Sequence, residues 1–239
     1  MPLNIEENGI VPILEDELNI FENNSKSFRS GEMDPIAFQV YRLREGVYGQ
    51  RQPDAQMIRV KLPGGVVTAR QMEALGEVAR KYAPLDRGHI TTRECVQYHH
   101  VPLEDAVKLK FELANVGLSS REACGNTVRN VISCPLAGVC RDEVFDTTPY
   151  LTAYVRYFIR KPFTQNMPRK FKSSFSPCAN DCANAPYHDI GFIAKLQNGE
   201  KGFAIYVGGG SSIMPRAAQC LYDFVPVSDF LRVTEAVLK

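Results

Sequence analysis

QMIRVKLPGGVVTARQMEALGEVARKY, residues 56–82, holds the pattern that decides the fold of the first half of the chain. Apolar residues alternate with Arg59 and Lys61 over Met57–Leu62 and predict a strand there, and Pro63-Gly64-Gly65 predicts a turn. A helix is expected from about Thr68, because apolar residues then recur at helical spacing. That apolar face comprises Met72, Leu75, Val78, Ala79 and Tyr82.

The next segment repeats this order of elements. Strands are predicted near His89–Thr92 and Val96–Val101, and a second helix runs from about Glu104 to a stop at Gly117. Two strand-helix units at this spacing predict an α+β fold with a ferredoxin-like half-domain over residues 40–115.

The second half of the chain mixes further helices and strands. In KFKSSFS, residues 170–176, alternation places Lys170 and Lys172 on the same face of a strand. The other predicted elements are a helix opening at Thr148-Pro149, strands at Ile190–Leu196 and Phe203–Val207, a helix from about Pro215 and a last helix capped by Ser228.

Composition excludes several classes of protein. The chain has 239 residues, 44% hydrophobic residues and a net charge of +1, which is typical of a soluble globular protein and gives no general argument for a nucleic-acid or membrane partner. No apolar run approaches the roughly 18 residues of a membrane span, and no signal peptide is recognisable, so a cytoplasmic protein is expected. The acidic residues 1–35 are expected to form an extended arm without a role in chemistry.

The cysteines form two spaced pairs. Cys134 and Cys140 make C-x5-C, and after 37 residues Cys178 and Cys182 make C-x3-C. Four thiolates at fixed spacing can hold zinc or an iron-sulfur cluster, although these spacings fit zinc poorly. The alternative is that all four only pack. The remaining cysteines, Cys95, Cys124 and Cys220, are interpreted as small buried apolar residues.

Four basic residues form a second candidate group. Arg93, Arg129, Lys170 and Lys172 would repel one another unless an anion neutralised them, so a cleft shared by them would bind small oxyanions or several carboxylates. The alternative is that each is a solvated surface charge. Dinucleotide binding through the VGGG segment at residues 207–210 is disfavoured, because the G-x-G-x-x-G spacing is missing.

Five motifs in fixed order carry a family resemblance. They are TTRECVQYHH, ACGNTVRNVISCPLAG, PRKFKSSFS, HDIGFIA and YVGGG. In this order they resemble the first half of siroheme-dependent nitrite/sulfite reductases over about residues 40–239. The resemblance implies a nitrite/sulfite reductase ferredoxin-like half-domain at residues 36–117, followed by an α/β siroheme and 4Fe-4S domain at residues 118–239.

The resemblance also implies roles for single residues. Arg93, Arg129, Lys170 and Lys172 match residues that bind sulfite or nitrite and the siroheme carboxylates, acting as electrostatic clamps and, for the lysines, as proton sources. Asn126 and the loop of Gly208, Gly209 and Gly210 would lie near the macrocycle. Cys134, Cys140, Cys178 and Cys182 would bind the 4Fe-4S cluster, with Cys182 bridging to the siroheme iron.

One departure from the family pattern bears on completeness. Typical members take their anion-binding residues from a first repeat and their cluster cysteines from a second, whereas this chain carries both in one repeat. Either two copies pair so that each completes the other's site, or the chain is a fragment of a longer reductase. In that case the cysteines of this repeat are symmetry counterparts of the true cluster ligands, which a second repeat supplies. The last helix reaches Lys239 without a stop signal, which favours the longer reductase.

The implied activity is the six-electron reduction of sulfite to sulfide or of nitrite to ammonia, with electrons from a donor such as ferredoxin or a reductase subunit. The second lysine of Lys-x-Lys, Lys172, favours sulfite, because sulfite is the more highly charged anion. The alternative function is a non-catalytic tetrapyrrole-binding or accessory module that lacks its second repeat.

Overall fold

A computed structural model describes residues 9–239, which form two compact units. The first unit comprises the described residues up to Leu62 together with Val66–Thr127, and the second comprises Pro63–Gly65 and Val128–Lys239. The helices are α1 (Glu15–Arg29), α2 (Pro35–Arg44), α3 (Ala69–Tyr82), α4 (Leu103–Ala114), α5 (Thr148–Phe158) and α6 (Phe230–Leu238). The strands are β1 (Val47–Gly49), β2 (Gln56–Lys61), β3 (His89–Ile90), β4 (Cys95–Val101), β5 (Val128–Ser133), β6 (Phe171–Ser176), β7 (Ile190–Gln197), β8 (Glu200–Val207) and β9 (Gln219–Pro226).

The first unit is a four-stranded antiparallel sheet covered by helices. Its strand order is β1-β2-β4-β3. Ile58 and Val60 of β2 and Tyr98 of β4 are fully buried in the core that α3 and α4 close. The Tyr98 hydroxyl donates to the carbonyl of Leu75 in α3 at 2.8 Å, which pins the helix to the sheet. The predicted order of strand, helix, strand and helix is confirmed.

Helix α3 begins where the sequence predicts it. Thr68 is the N-cap, and its hydroxyl accepts from the Gln71 amide while the Gln71 side chain accepts from the Thr68 amide. This reciprocal pair satisfies two amides that the first turn of a helix leaves without partners. Gln71 also donates to the carbonyl of Val116 at 3.0 Å, which ties the start of α3 to the end of α4.

The acidic N-terminal segment differs from the extended arm expected from the sequence. Residues 1–8 lie outside the described part of the chain, but residues 15–29 form α1, whose Leu18 and Phe21 are buried in the first unit. Phe28 stacks on Phe38 of α2 with ring centroids 4.3 Å apart. The apolar positions are sparse, so the helical period is hidden among acidic and amide residues.

The second unit is a five-stranded mixed sheet in the order β5-β6-β7-β8-β9. Strands β5, β6 and β7 are parallel, and β8 and β9 extend the sheet in antiparallel fashion. An aromatic core fills one face of this sheet. Its buried members are Tyr154, Phe158, Phe175, Phe192, Phe203 and Phe230.

The helix expected from Pro215 is wrong. Residues 211–218 contain no helix, and strand β9 follows, paired with β8. The sequence signal fails because Gln219–Asp223 are all exposed and show no alternation, so backbone pairing with β8 holds this strand. Helix α6 begins at Phe230, just beyond the predicted Ser228 cap. A search of residues 9–239 finds no helix with the length and apolarity that crossing a membrane requires.

Candidate functional site

The two cysteine pairs are carried by neighbouring parallel strands. Cys134 follows β5 directly, and Cys178 follows β6 after Pro177. Val131 of β5 aligns with Ser173 of β6, and Ser133 aligns with Phe175. Since parallel strands end at the same edge of a sheet, both cysteine loops leave the second unit at one edge.

The thiol of Cys134 lies beside the second cysteine pair. Burial raises the pKa of the Cys134 thiol, and the nearby Cys182 and Cys178 raise this pKa further. The Leu136 amide donates to the Cys134 sulfur at 3.4 Å and opposes that rise. Cys134 and Cys178 are buried, Cys140 is half-buried and Cys182 is exposed. Three of the four predicted ligands therefore interact.

The four cysteines are the right kind of ligand for an iron-sulfur cluster, but their thiols do not converge on one point. Thiolates are the ligands that such clusters take, and an amide that donates to a ligand sulfur is a recurrent way of tuning them. In residues 9–239 no group of three or more His, Cys, Asp or Glu side chains is arranged closely enough to hold a metal ion. The side chains of the four cysteines would have to move closer together to bind a cluster. Ligation by all four stays a prediction.

The other cysteines divide into two kinds. Cys95 and Cys124 are buried in the first unit, as expected for small apolar residues. Cys220 is exposed on β9, so its interpretation as a buried residue is wrong. The interpretation was wrong because the sequence did not predict β9, and Cys220 lies on an exposed part of that strand.

Arg93 belongs to a group of cations in the first unit. Its amide donates to the Thr91 hydroxyl at 3.2 Å in the turn between β3 and β4. Burial raises the pKa of the adjacent Cys95 thiol, and the charges of Arg59, Lys61 and Arg93 oppose that rise. All three cations therefore lie near Cys95. Sequence reasoning missed Arg59 and Lys61, although their spacing of two in β2 places both on one face of the strand.

Arg59 is held by a polar chain across the sheet. Its guanidinium donates to the Ala123 carbonyl at 3.1 Å. With the Gln97 amide oriented toward complementary partners, its oxygen accepts from Arg59 Nε and Nη2 at 2.8 Å, and its nitrogen donates to His99 Nε2 at 3.3 Å. Burial lowers the pKa of His99, and His89, His100 and Arg59 lower it further. Arg59, Gln97 and His99 are half-buried, so this face offers guanidinium, amide and imidazole groups to an anionic ligand.

Asn126 lies exposed in the loop that Arg59 contacts. The Thr127 hydroxyl donates to the carbonyls of Glu122 and Cys124, both at 3.1 Å, and closes that loop. Asn126 is therefore carried by a segment fixed at both ends, which suits a residue that contacts a bound cofactor.

The remaining predicted cations lie at the amino ends of β5 and β6. Val128 aligns with Phe171 and Val131 with Ser173, so a register irregularity leaves Arg129 and Asn130 together opposite Lys172. Lys172 is half-buried and Lys170, just before the strand, is exposed. Because Arg93 belongs to the first unit and Arg129, Lys170 and Lys172 to the second, their common cleft stays a prediction.

The glycine loop lies next to Lys172 through one acidic residue. The Lys172 amide donates to Asp189 Oδ2 at 2.7 Å, and the Gly208 amide donates to the Asp189 carbonyl at 3.0 Å. A Cβ on Gly209 would lie 2.2 Å from the carbonyl oxygen of Pro186, so only glycine fits there. Two residues after Lys172, the buried Ser174 hydroxyl has no hydrogen-bond partner among the described residues. The cations beside this loop fit a ligand that carries carboxylates.

Thiols and cations occupy opposite ends of the same two strands. Arg129 precedes Cys134 by five residues, which is about 17 Å along an extended strand. The second unit therefore separates the predicted cluster ligands from the predicted anion ligands.

Comparisons with known proteins match both units. Residues 48–116 match the model of the nitrite/sulfite reductase ferredoxin-like half domain, and residues 124–239 match that of the nitrite and sulphite reductase 4Fe-4S domain. Together the two models cover more than three quarters of the chain.

Relatives and solved structures agree with these matches. The chain is 37% identical to the assimilatory ferredoxin-dependent nitrite reductase of Haloferax mediterranei, over 75% of this chain and 33% of the relative. It is 35% identical to sulfite reductase [ferredoxin] 1 of Mycolicibacterium paratuberculosis, over 76% of this chain and 32% of the relative. The chain thus spans about a third of the length of the curated relatives it matches.

Two solved structures resemble the fold. The NirA protein of Mycobacterium tuberculosis superposes with a TM-score of 0.82 and 28% identity, over 93% of this chain and 44% of that one. Dissimilatory sulfite reductase I superposes with a TM-score of 0.67 over 99% of this chain and 82% of that one, and at 14% identity this shows the fold alone. The two domain matches, the relatives and the paired cysteine loops agree with the resemblance read from the five motifs, and the chain belongs to the nitrite and sulfite reductase family.

Proposed function

We propose that this chain is the cation- and thiol-bearing repeat of a siroheme- and 4Fe-4S-dependent reductase that converts sulfite to sulfide or nitrite to ammonia. One observation carries the proposal: Arg129 and Lys172 lie at the amino ends of two neighbouring parallel strands whose other ends carry the cysteine loops. The family match over both units supports it.

The reaction needs cations and protons as well as electrons. When bound, siroheme and a 4Fe-4S cluster would relay the six electrons one at a time from the electron donor. The Arg129 guanidinium and the Lys172 ammonium would bind the anion and polarise its oxygens. Each oxygen leaves as water and takes two protons, which the Lys172 and Lys170 Nζ atoms would deliver. Lys170 is exposed, so solvent can return protons to it.

The first unit would hold the carboxylates of the tetrapyrrole. Arg59, Lys61 and Arg93 supply the charge, and Gln97 orients the Arg59 guanidinium. Asn126 would contact the macrocycle from its closed loop. Guanidinium groups suit this task because they bind carboxylates through two hydrogen bonds.

Because the thiols and the cations are separated, the proposed site needs a second repeat. Residues about 17 Å apart along two strands would not act on one small anion, so the thiols would serve with cations of another repeat. That repeat would be the second half of a longer reductase or a second copy of this chain. Ferredoxin is proposed as the electron donor, because the names of the relatives include it. We place the protein in the cytoplasm, where reducing conditions keep thiol ligands available.

A second function is favoured by the placement of thiols and cations at opposite ends of β5 and β6. Because the two groups would not act on one small anion, the chain would serve as an accessory module that binds a tetrapyrrole without turnover. Its absorption spectrum would show the pigment, while sulfite and nitrite would stay unreduced.

The test uses the 239-residue chain loaded with siroheme, iron and sulfide, and a chemical reductant as electron source. We expect visible absorption by bound siroheme, and turnover of sulfite or nitrite. Lys172→Gln should raise the KM about tenfold, the effect of losing one charge-assisted hydrogen bond. Lys195→Gln is the matched control, since Lys195 is an exposed lysine of the same sheet. A colourless chain would overturn both functions. Turnover would exclude the accessory module, and pigment without turnover would exclude a site completed by two copies of this chain.

A further inference from the structure

Asp181, inside the C-x3-C motif, joins the two ends of its loop. Its Oδ1 accepts from the Ser176 hydroxyl at 2.5 Å and from the Ala185 amide at 3.0 Å, and its Oδ2 accepts from the same amide at 2.9 Å. Ser176 is the last residue of β6, and Ala185 begins a short 3-10 helix. Both are fully buried. One carboxylate therefore fastens the whole loop between a strand end and a helix start.

The hydrogen bonds of the Asp181 carboxylate support an unusual backbone conformation in this loop. The Asp181 amide donates to the Cys178 carbonyl at 3.2 Å, and the Asn184 amide donates to the Asp181 carbonyl at 2.9 Å. Asp181 and Asn184 both adopt left-handed conformations, with φ of 48° and 55°. Aspartate and asparagine tolerate this region better than most residues, but it still costs free energy that other contacts must offset.

Cys182 has little else to fix it. Cys178 and Cys134 are held by burial, whereas Cys182 is exposed. Its carbonyl accepts from the Asn184 side chain at 3.2 Å, a contact within the same loop. The direction of the Cys182 thiol toward Cys134 is therefore set by the path of the loop rather than by packing.

We propose that Asp181 is a positioning residue whose carboxylate, held by Ser176 and Ala185, fixes the C-x3-C loop and presents Cys182 to Cys134. The relevance of this arrangement to a 4Fe-4S cluster rests on the proposed function. The arrangement of the thiols itself does not, so the two are tested separately.

The first experiment examines the metal-free 239-residue chain under anaerobic conditions. Dibromobimane becomes fluorescent after it joins two nearby thiols, and peptide mapping identifies the pair. The wild type should yield a Cys134–Cys182 cross-link. Asp181→Ala should lower that yield about tenfold, while Asp181→Asn, which keeps one acceptor oxygen, should restore part of it.

A matched control tests whether the loss of any carboxylate of the second unit affects the cross-link. Asp229→Asn changes a partly exposed carboxylate that pairs with Arg232 at 3.2 Å outside both cysteine loops, and it should leave the cross-link unchanged. Ser176→Ala removes one donor to Asp181, so its effect should not add to that of Asp181→Ala. If Asp181→Ala fails to fold by circular dichroism, Ser176→Ala and Asp181→Asn carry the test.

The second experiment measures cluster retention. After reconstitution with iron and sulfide, Asp181→Ala should lose iron to a chelator about 10- to 100-fold faster than the wild type, the usual effect of losing a partner around a metal ligand. Wild-type cross-linking and iron retention in Asp181→Ala would overturn the inference. A wild type that takes up no iron would count against the proposed cluster ligands, and the cross-link would still decide the role of Asp181.

Discussion

The ammonium of Lys110 lies 2.8 Å from the carboxylate of Glu45, and the two side chains are only 5% and 4% exposed. Arg121 also pairs with this carboxylate, and the Ser120 hydroxyl donates to the Glu45 carbonyl at 2.6 Å. Lys110 Nζ lies 4.0 Å from the centroid of the Phe21 ring in α1. This buried group of charges joins α1, α4 and the segment that leads to Asn126.

Glu45→Ala is expected to destabilise the chain strongly. Removing one member of a buried ion pair leaves the other charge without compensation, which typically costs about 3–5 kcal/mol. The measurement is the free energy of unfolding from urea titration. Glu17→Gln is the control: Glu17 is partly exposed and 3.7 Å from Arg121, so its loss should cost about 1 kcal/mol or less. Equal losses in the two variants would contradict the prediction.

The double variant Glu45→Leu/Lys110→Met tests whether the cost of Glu45→Ala comes from the unpaired charge that it leaves. Removing both charges leaves no unpaired ion, and well-packed apolar residues often replace a buried pair at little cost. The double variant should therefore be more stable than Glu45→Ala in the same urea titration. A double variant that is less stable would show that the pair contributes beyond mutual compensation.

Stability should fall in acid because of Glu45. Burial alone would raise the pKa of the Glu45 carboxyl, but Lys110 and Arg121 outweigh burial and hold that pKa below its ordinary value of 4.5. The ionised carboxylate therefore stabilises the fold above that value, and this contribution is lost as pH falls through the lower folded pKa. Urea midpoints between about pH 6 and pH 3 should drop more steeply for the wild type than for Glu45→Gln. Parallel slopes would assign the acid sensitivity to other carboxylates.

Lys172 is expected to set the preference between substrates. Sulfite near neutral pH is largely a dianion and nitrite is a monoanion, so one cation fewer should weaken sulfite binding more. Lys172→Asn in the complete reconstituted enzyme should lower kcat/KM for sulfite about tenfold and that for nitrite less. A wild type that prefers nitrite, together with a variant of unchanged preference, would exclude this role.

The glycine loop offers a matched pair of substitutions. Gly209→Ala would push a Cβ to 2.2 Å from the Pro186 carbonyl oxygen, whereas a Cβ on Gly210 meets nothing within 4 Å. Gly209→Ala should therefore lower the melting temperature and weaken binding of added siroheme, followed by absorption. Gly210→Ala should do neither. The loop would be more adaptable than the structure indicates if both variants bound siroheme equally.

Elements with a clear local sequence pattern were predicted correctly. Thr68 and Gln71 indicate the start of α3, and the alternation of KFKSSFS indicates β6. Strand β9 was not predicted because most of its side chains are exposed, and α1 was not predicted because it has few apolar positions. In such elements tertiary pairing and packing decide the structure, and neither is readable from a local pattern.

The candidate site was predictable only in part for a similar reason. Spacing selected the four cysteines as candidate cluster ligands, and the motifs selected Arg93, Arg129 and Lys172 as candidate anion ligands; these roles stay predictions. Arg59 and Lys61 became visible only when the register of β2 and β4 placed Lys61 beside Cys95 and Arg59 beside Gln97. The role of Asp181 depends on hydrogen bonds to Ser176 and Ala185, whose geometry is fixed by folding.

The opposite placement of thiols and cations on β5 and β6 has an evolutionary consequence. The strands between the two ends are held by their own hydrogen-bond ladder and aromatic core, so substitutions at one end leave the scaffold of the other intact. After gene duplication, one descendant can lose its cysteines and the other its basic residues without refolding either. A repeat that carries thiols at one end of its strands and cations at the other, as β5 and β6 do here, is a physically sufficient starting point for such a division of labour.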